Sequence, residues 1–260
     1  MAYIQKHFLK NEIYINNKKL KYYLSPNLVK NNFKHGFFNK VSSEINISHL
    51  STFFNKNHSN CILNQVHSNT IVFGSQIKKN KRIDADGMIC DTHNQNLWIY
   101  TADCMPIFFA DKKKRLVAAI HCGRKGLENR IIKNLIKNFN NLGTCTKDLL
   151  VAIGPSISKK NYLIDENTFQ EFLKKIYSKE SASFSKKAGS PFQFDNISRL
   201  KKQGLISLDL KKNAHIQLLD ENIPNKNIDI SRLCTYESND NFYSWRRSKT
   251  YLRQWSFICP

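Results

Sequence analysis

Apolar positions along the chain recur with two different periods. Short runs rich in Ile, Val, Leu and Phe begin at residue 61: Cys61–Val66, Thr70–Phe73, Leu97–Thr101, Met105–Ala110, Leu116–Ile120 and Leu149–Ile153. Their length and β-branched or aromatic content predict strands of a sheet core. Helical spacing takes over after Gly126, where Ile131, Ile132, Leu135, Ile136 and Phe139 share one face, and again at Phe169, Phe172, Leu173, Ile176 and Tyr177. Leu210, Ala214 and Leu218 fall at i, i+4 and i+8 and mark a third helix, and a strand-like tail follows around Trp255–Ile258. The first 60 residues alternate short apolar pieces such as Glu12-Ile13-Tyr14-Ile15 with polar turns, which predicts strands and loops rather than long helices. Ser178–Ser190 (SKESASFSKKAGS) is poor in apolar residues and reads as an exposed or partly disordered loop. Strands and helices mix without a regular β-α-β alternation, and no GxGxxG is present, so the expected class is α+β rather than a dinucleotide-binding fold.

With 260 residues and 41% hydrophobic content, the chain can bury one large core, and a single domain over residues 1–260 is expected. No run approaches the roughly 20 apolar residues of a membrane span, and the N-terminus lacks a secretory apolar stretch, so the expected location is the cytoplasm, with no membrane partner. Seven cysteines without a CxxC fit free thiols in a reducing compartment. The formal charge of +21 would draw phosphorylated molecules or nucleic acid, but its Lys-Lys and Lys-Asn pairs are scattered along the sequence and read first as solvated surface. The pattern gives no indication of oligomeric state.

Three side chains stand out as metal ligands: His67 in NQVHS, Cys104 in TADCMP and His121 in AAIHCG, each following or ending an apolar, strand-like run. Two imidazoles and a thiolate suit Zn²⁺ with a fourth position left open. Taken singly, a His or Cys beside an apolar strand is more often a core residue, and the spacing matches no recognised finger or HExxH pattern. Asp84 and Asp86 in RIDADG precede a glycine and read as a turn, with no role that spacing assigns.

A series of blocks alters that balance. NQVHS, DADGMIC, TADCMPIFFAD, AAIHCGRKGL, AIGPSISKKNY, DLKKNAHIQLL and CTYESNDNFYSWRR resemble, in the same order, the bacterial purine nucleoside phosphorylase family formerly described as laccase-domain or multicopper polyphenol oxidase proteins. The similarity runs from about His35 to the C-terminus. It implies a layered α/β/β/α sandwich around mixed central β-sheets, with zinc bound by His67, Cys104 and His121. It also implies phosphorolysis of adenosine, inosine, guanosine and methylthioadenosine, and deamination of adenosine, with purine nucleosides and inorganic phosphate as partners. Deamination needs acidified water and a proton carrier, for which Asp103 is the first candidate, with orientation of its neighbours as the other reading. Cys104, His121 and Asp103 thus form the expected catalytic group. Phosphate would be gripped by Arg246 and Arg247 in SWRRS, since a guanidinium fork donates two hydrogen bonds to one phosphate.

The sequence departs from the family in three places. HGFFNKVSSE carries Lys40 near the position of an arginine expected to contact the substrate anion, Arg124-Lys125 stand where Trp-Arg is usual, and SKTYLRQWS, which includes Lys249, replaces a glycine-containing segment. Competing readings are copper-dependent oxidation of phenols, a Cys-His hydrolase editing cell-wall precursors with Cys104 as nucleophile, and a basic RNA-binding module. Eight histidines with no His-x-His pair weigh against a multi-copper cluster, and no RNP, KH or finger motif supports RNA binding.

Overall fold

Side-chain alternation along the central strands sorts the molecule into layers. The computed structural model describes residues 3–55, 57–78, 81–92, 94–176, 198–202 and 204–260. One six-stranded sheet runs in the order β1 (Leu9–Ile15), β2 (Lys18–Leu24), β3 (Lys34–Phe38), β15 (Gln254–Cys259), β7 (Gln95–Thr101) and β4 (Ser59–Ile62). The second runs β14 (Ile228–Ile230), β10 (Leu149–Ile153), β8 (Met105–Asp111), β9 (Val117–Cys122), β6 (Gly87–Ile89) and β5 (Ile71–Phe73). Both are mixed, since β4 pairs parallel to β7, β10 to β14 and β5 to β6, while the remaining pairs are antiparallel.

In the second sheet, Phe108, Ala110, Val117, Ala119, Leu150 and Ala152 share a cluster with Phe37, Leu97, Ile99 and Ile258 of the first. The alternate residues Ile107, Phe109, Ala118, Ile120, Leu149, Val151 and Ile153 face the other way. This period of two follows from the pleat, and each fully buried Leu, Ile or Phe contributes roughly 1.5–3 kcal/mol of transfer free energy. Phe37 and Phe108 stack at 4.5 Å across the sheet-to-sheet layer.

Helices cover the outer face of the second sheet: α3 (Arg124–Glu128), α4 (Ile131–Asn141), α5 (Glu166–Ile176) and α6 (Leu210–Asp220). The apolar stripe read at Ile131–Phe139 is buried along α4, and Phe169, Phe172 and Ile176 do the same on α5. Asp209 opens α6 by accepting the Lys212 amide at 2.9 Å, which satisfies one of the unpaired donors of its first turn. The opposite outer face is thinner, with α2 (Ile47–Asn55) and a 3₁₀ turn over Ile15, Leu20, Trp98 and Phe257. The result is the expected α/β/β/α order. A small sheet of β11 (Leu163–Asp165), β13 (Leu205–Leu208) and β12 (Ser198–Lys202) flanks α5.

The N-terminal region holds the predicted strands together with α1 (Pro26–Lys30), opened by Ser25 and a proline in its first turn. Ser25 Oγ donates at 2.6 Å to the buried Asp229 carboxylate, which also accepts the Asn27 amide at 2.8 Å and Lys6 Nζ at 2.5 Å. This cluster ties the amino-terminal segment to β14 of the second sheet. β6 lacks a strand signature in the sequence because Gly87–Ile89 offers only three residues between a turn and Cys90. Tyr177 and the segment 178–190 lie outside the described residues. Among the described residues, no helix is long and apolar enough to cross a membrane.

Candidate metal centre

Three separate connections deliver the candidate ligands to one end of the sheet pair. Cys104 lies in the tight link between β7 and β8, immediately before Met105, and follows Asp103, whose φ of 94° is rare outside glycine. His121 occupies the next-to-last position of β9 on the face of Val117 and Ala119, so it points toward the first sheet. His67 differs from the strand-end placement expected for all three, because it sits on the loop between β4 and β5 with φ 63°. One ligand atom from each residue lies within 4.8 Å of the others, Cys104 Sγ is 3.9 Å from His67 Nε2, and the imidazole centroids are 4.7 Å apart at 77°.

Asp86, read from the sequence as a turn residue, organises this group. Its Oδ1 lies 2.7 Å from His121 Nδ1, which makes Nδ1 the donor and leaves Nε2 free to coordinate. Its Oδ2 accepts the amides of Val66 (3.2 Å) and Ser68 (2.5 Å) and the Ser68 hydroxyl (2.9 Å), so it holds the two residues flanking His67. The carboxylate is fully buried, and its acceptor capacity is matched by these donors. Gln65 adds a second clamp: its amide donates to Tyr100 O at 2.8 Å and accepts Tyr100 N at 3.0 Å, which continues β7's hydrogen bonding into the loop. Gly123 leaves the thiol room, since a Cβ there would stand 2.6 Å from Cys104 Sγ. Neither Asp86 nor Gln65 carries a one-dimensional signal beyond its block, because both act through contacts with remote strands.

The electrostatics favour a thiolate. Burial opposes ionisation of Cys104, yet His121 and His67 outweigh it and hold the thiol well below its ordinary range. Burial likewise opposes protonation of His121, while Cys104 and the Asp86 carboxylate hold it up. One soft anionic sulfur beside two imidazoles, with one ring fixed by a carboxylate, is a donor set that fits a tetrahedral divalent ion with one open position.

The group opens into a cavity of about 410 Å³ lined by Tyr100, Arg124, Lys125, Tyr162, Trp245, Arg246 and Arg253 as well as the ligands. Here the expected site residues separate. Arg246, in the one-turn α7 (Trp245–Ser248), faces the cavity: its guanidinium carbon stands 4.9 Å over the Tyr162 ring, Nη1 donates to Leu163 O at 2.7 Å, and the buried Nε has no acceptor among the described residues. Arg247 turns away and donates to the carbonyls of Thr235 (2.9 Å), Tyr236 (2.7 Å) and Phe242 (2.8 Å), so its fork braces the backbone. Lys40 lies outside the cavity lining, with Nζ donating to Asn239 O at 3.0 Å. Asp103 turns its buried carboxylate to Thr235 Oγ1 (2.7 Å), Ser244 Oγ (3.0 Å) and the Arg246 amide (2.7 Å). In this geometry it fastens α7 beside Cys104. Arg253 and Tyr162 enter the cavity without having been singled out from the sequence.

Comparison with known proteins finds relatives in sequence and in fold. The purine nucleoside phosphorylase of Synechocystis sp. is 32% identical over 182 residues, covering 67% of each chain. That of Borreliella burgdorferi is 35% identical over 177 residues, covering 66% of this chain and 69% of its own. The crystal structure of the Bacillus licheniformis hypothetical protein YfiH superimposes with a TM-score of 0.76 at 23% identity, over 92% of this chain and 96% of that one. YlmD from Geobacillus stearothermophilus gives 0.69 at 26% identity, over 82% and 77%. A family model described as multi-copper polyphenol oxidoreductase laccase matches residues 39–260, and the chain belongs to that family.

Proposed function

We propose that this protein is a zinc-dependent purine nucleoside phosphorylase acting on adenosine, inosine, guanosine and methylthioadenosine. The observation that carries the reading is the His67–Cys104–His121 group at the base of a cavity whose walls offer aromatic faces and arginines. His67 and His121 through Nε2, and Cys104 through its thiolate, would hold the ion. When bound, zinc supplies Lewis-acid polarisation and acidifies water toward neutral pH.

The chain's own residues do the remaining work. Trp245 and Tyr162 present rings on which a purine can stack, and Arg246 offers inorganic phosphate a charged donor with an unused Nε. In phosphorolysis, a phosphate oxygen bonds to ribose C1′ as the C1′–N9 bond breaks, and the phosphate proton leaves with the base. Asp103 accepts the amide of Arg246, which supports a role as a positioning residue rather than a proton carrier. An ion held by these residues would also supply acidified water for a second reaction, in which water replaces the purine C6 amino group of adenosine and ammonia departs.

The test is metal content and product formation in phosphate buffer for wild type and Cys104→Ala. Free base and ribose 1-phosphate, or inosine from adenosine, lost together with zinc in the variant supports the reading. Stoichiometric copper with oxidation of phenols would assign the site to oxidase chemistry instead, and protein that takes up no metal would overturn the proposal.

A further inference from the structure

The cavity holds more positive charge than a neutral nucleoside and one inorganic phosphate require. Four cations line it, Arg124, Lys125, Arg246 and Arg253, and among the described lining residues the one carboxylate is Asp103. Asp103 is hydrogen-bonded to Thr235, Ser244 and the Arg246 amide and is almost fully buried, so it presents little charge to a ligand. Of the four cations, Arg124 has an acidic partner, Glu128, which is itself shared with Lys175 Nζ at 3.4 Å. Arg253 donates from Nη1 to the carbonyls of Thr250 (2.7 Å) and Leu252 (2.9 Å), contacts that orient its charge without neutralising it. Lys125 is exposed at the mouth. The buried Nε of Arg246 is a donor with no acceptor among the described residues, the arrangement expected where a ligand oxygen completes the hydrogen bonding.

Aromatic surface accompanies this charge. Tyr162 lies under Arg246, and Trp245 carries the Lys249 ammonium 3.7 Å from its ring centroid. Cations converging on aromatic faces suit a flat heterocycle attached to a phosphate ester. A volume of about 410 Å³ falls in the range of small-molecule sites, roughly 300–1,000 Å³, and can enclose one such molecule.

We infer that the cavity also takes a purine nucleoside 5′-monophosphate, with the ester phosphate held by Lys125 and Arg253 and the second, reacting phosphate by Arg246. This rests on the nucleoside reading above and extends its substrate class. Phosphorolysis balances as before: the C1′–N9 bond breaks, a C1′–O bond to inorganic phosphate forms, and the base leaves with the phosphate proton. The product is then ribose 1,5-bisphosphate.

The test uses zinc-loaded full-length protein and calorimetric binding of adenosine and adenosine 5′-monophosphate in phosphate-free buffer, followed by turnover of both in phosphate. The monophosphate should bind about tenfold tighter or better, the scale of added charge-assisted hydrogen bonds. Lys125→Gln and Arg253→Gln should each shrink that ratio severalfold, whereas Lys133→Gln, on the exposed side of α4, should leave it unchanged. Equal or weaker binding of the monophosphate, with adenosine turned over, overturns this inference and leaves the nucleoside reading intact. A preference that survives both cavity variants also overturns it, because the metal or the general positive field would then be its source. Metal-loaded protein that binds and turns over neither molecule removes the nucleoside reading, and this inference with it.

Discussion

The base of the cavity and its rim are built in opposite ways. At the base, Cys104 and His121 project from or beside central strands, and a single buried carboxylate, Asp86, is hydrogen-bonded to the His121 ring and to both neighbours of His67. At the rim, Arg124, Lys125, Trp245, Arg246 and Arg253 stand on one-turn helices and connecting loops, several of them partly or fully exposed. Rigid, saturated geometry suits the centre that sets the reaction, while short elements can change side chains at little cost to the core. Of the departures from the family, Arg124-Lys125 and the segment after Arg247 fall at the rim and Lys40 lies outside the cavity, while His67, Cys104 and His121 are unchanged.

Acid should destabilise the sheets beneath both regions, the largest effect expected. His35 is buried, accepts the Ser25 amide at Nε2 (2.8 Å) and faces Phe33 O through Nδ1 (2.8 Å), so it is held neutral. Burial pushes its pKa from 6.5 down to about 4, against the smaller opposing influences of Phe33 and Asp229. The folded-state value is depressed, so this stabilisation is complete above pH 6.5 and is lost as pH falls from 6.5 toward 4. The loss amounts to on the order of 3 kcal/mol. Urea midpoints across that range should fall in wild type and fall less in His35→Gln.

Asp86→Asn separates base from rim. Losing the carboxylate that orients His121 should weaken zinc binding about 10–100-fold, measured by competition with a chelator. Undiminished affinity would show that Asp86 is not part of the support. Gly123→Ala should lower zinc affinity about tenfold, toward the lower end of that range, because the added methyl would crowd Cys104 Sγ. Circular dichroism should stay native, so that the loss is assigned to the thiol rather than the fold. Asp103→Asn acts on the rim: KM for phosphate should rise about threefold to tenfold, the scale of one weakened charge-assisted hydrogen bond, while zinc stays stoichiometric. Loss of zinc in that variant would mean that Asp103 supports the metal group instead. Lys40→Ala is the smallest change. Its ammonium donates to Asn239 O at the surface, so stability should move by less than about 0.5 kcal/mol and KM should hold.

Local pattern was enough to read much of this molecule and too little for the rest. β8, β9 and β10 could be placed because short, continuous apolar runs suit strands buried on both faces, and α4 because its apolar period matches its buried stripe, whereas α6 also buries polar positions such as Asn213 and Gln217. The ligand trio was visible as residue types beside apolar runs and became specific only through the ordered blocks. What sequence could not supply was direction. Arg246 and Arg247 are neighbours with identical chemistry, yet one turn of helix sends the first to the cavity and the second to the carbonyls of Thr235, Tyr236 and Phe242. Asp86 was hidden for a related reason: its partners lie 18 to 35 residues away.

Because the two oxygens of Asp86 serve different segments, occupancy of the metal group and docking of the sheet's edge are linked events. Filling the site should slow amide hydrogen exchange at Val66 and Ser68, whose N–H groups are the donors to that carboxylate, and along the β5–β6 edge that follows them. The border of the second sheet thereby becomes a reporter of the ion, readable in a protein whose chemistry is idle.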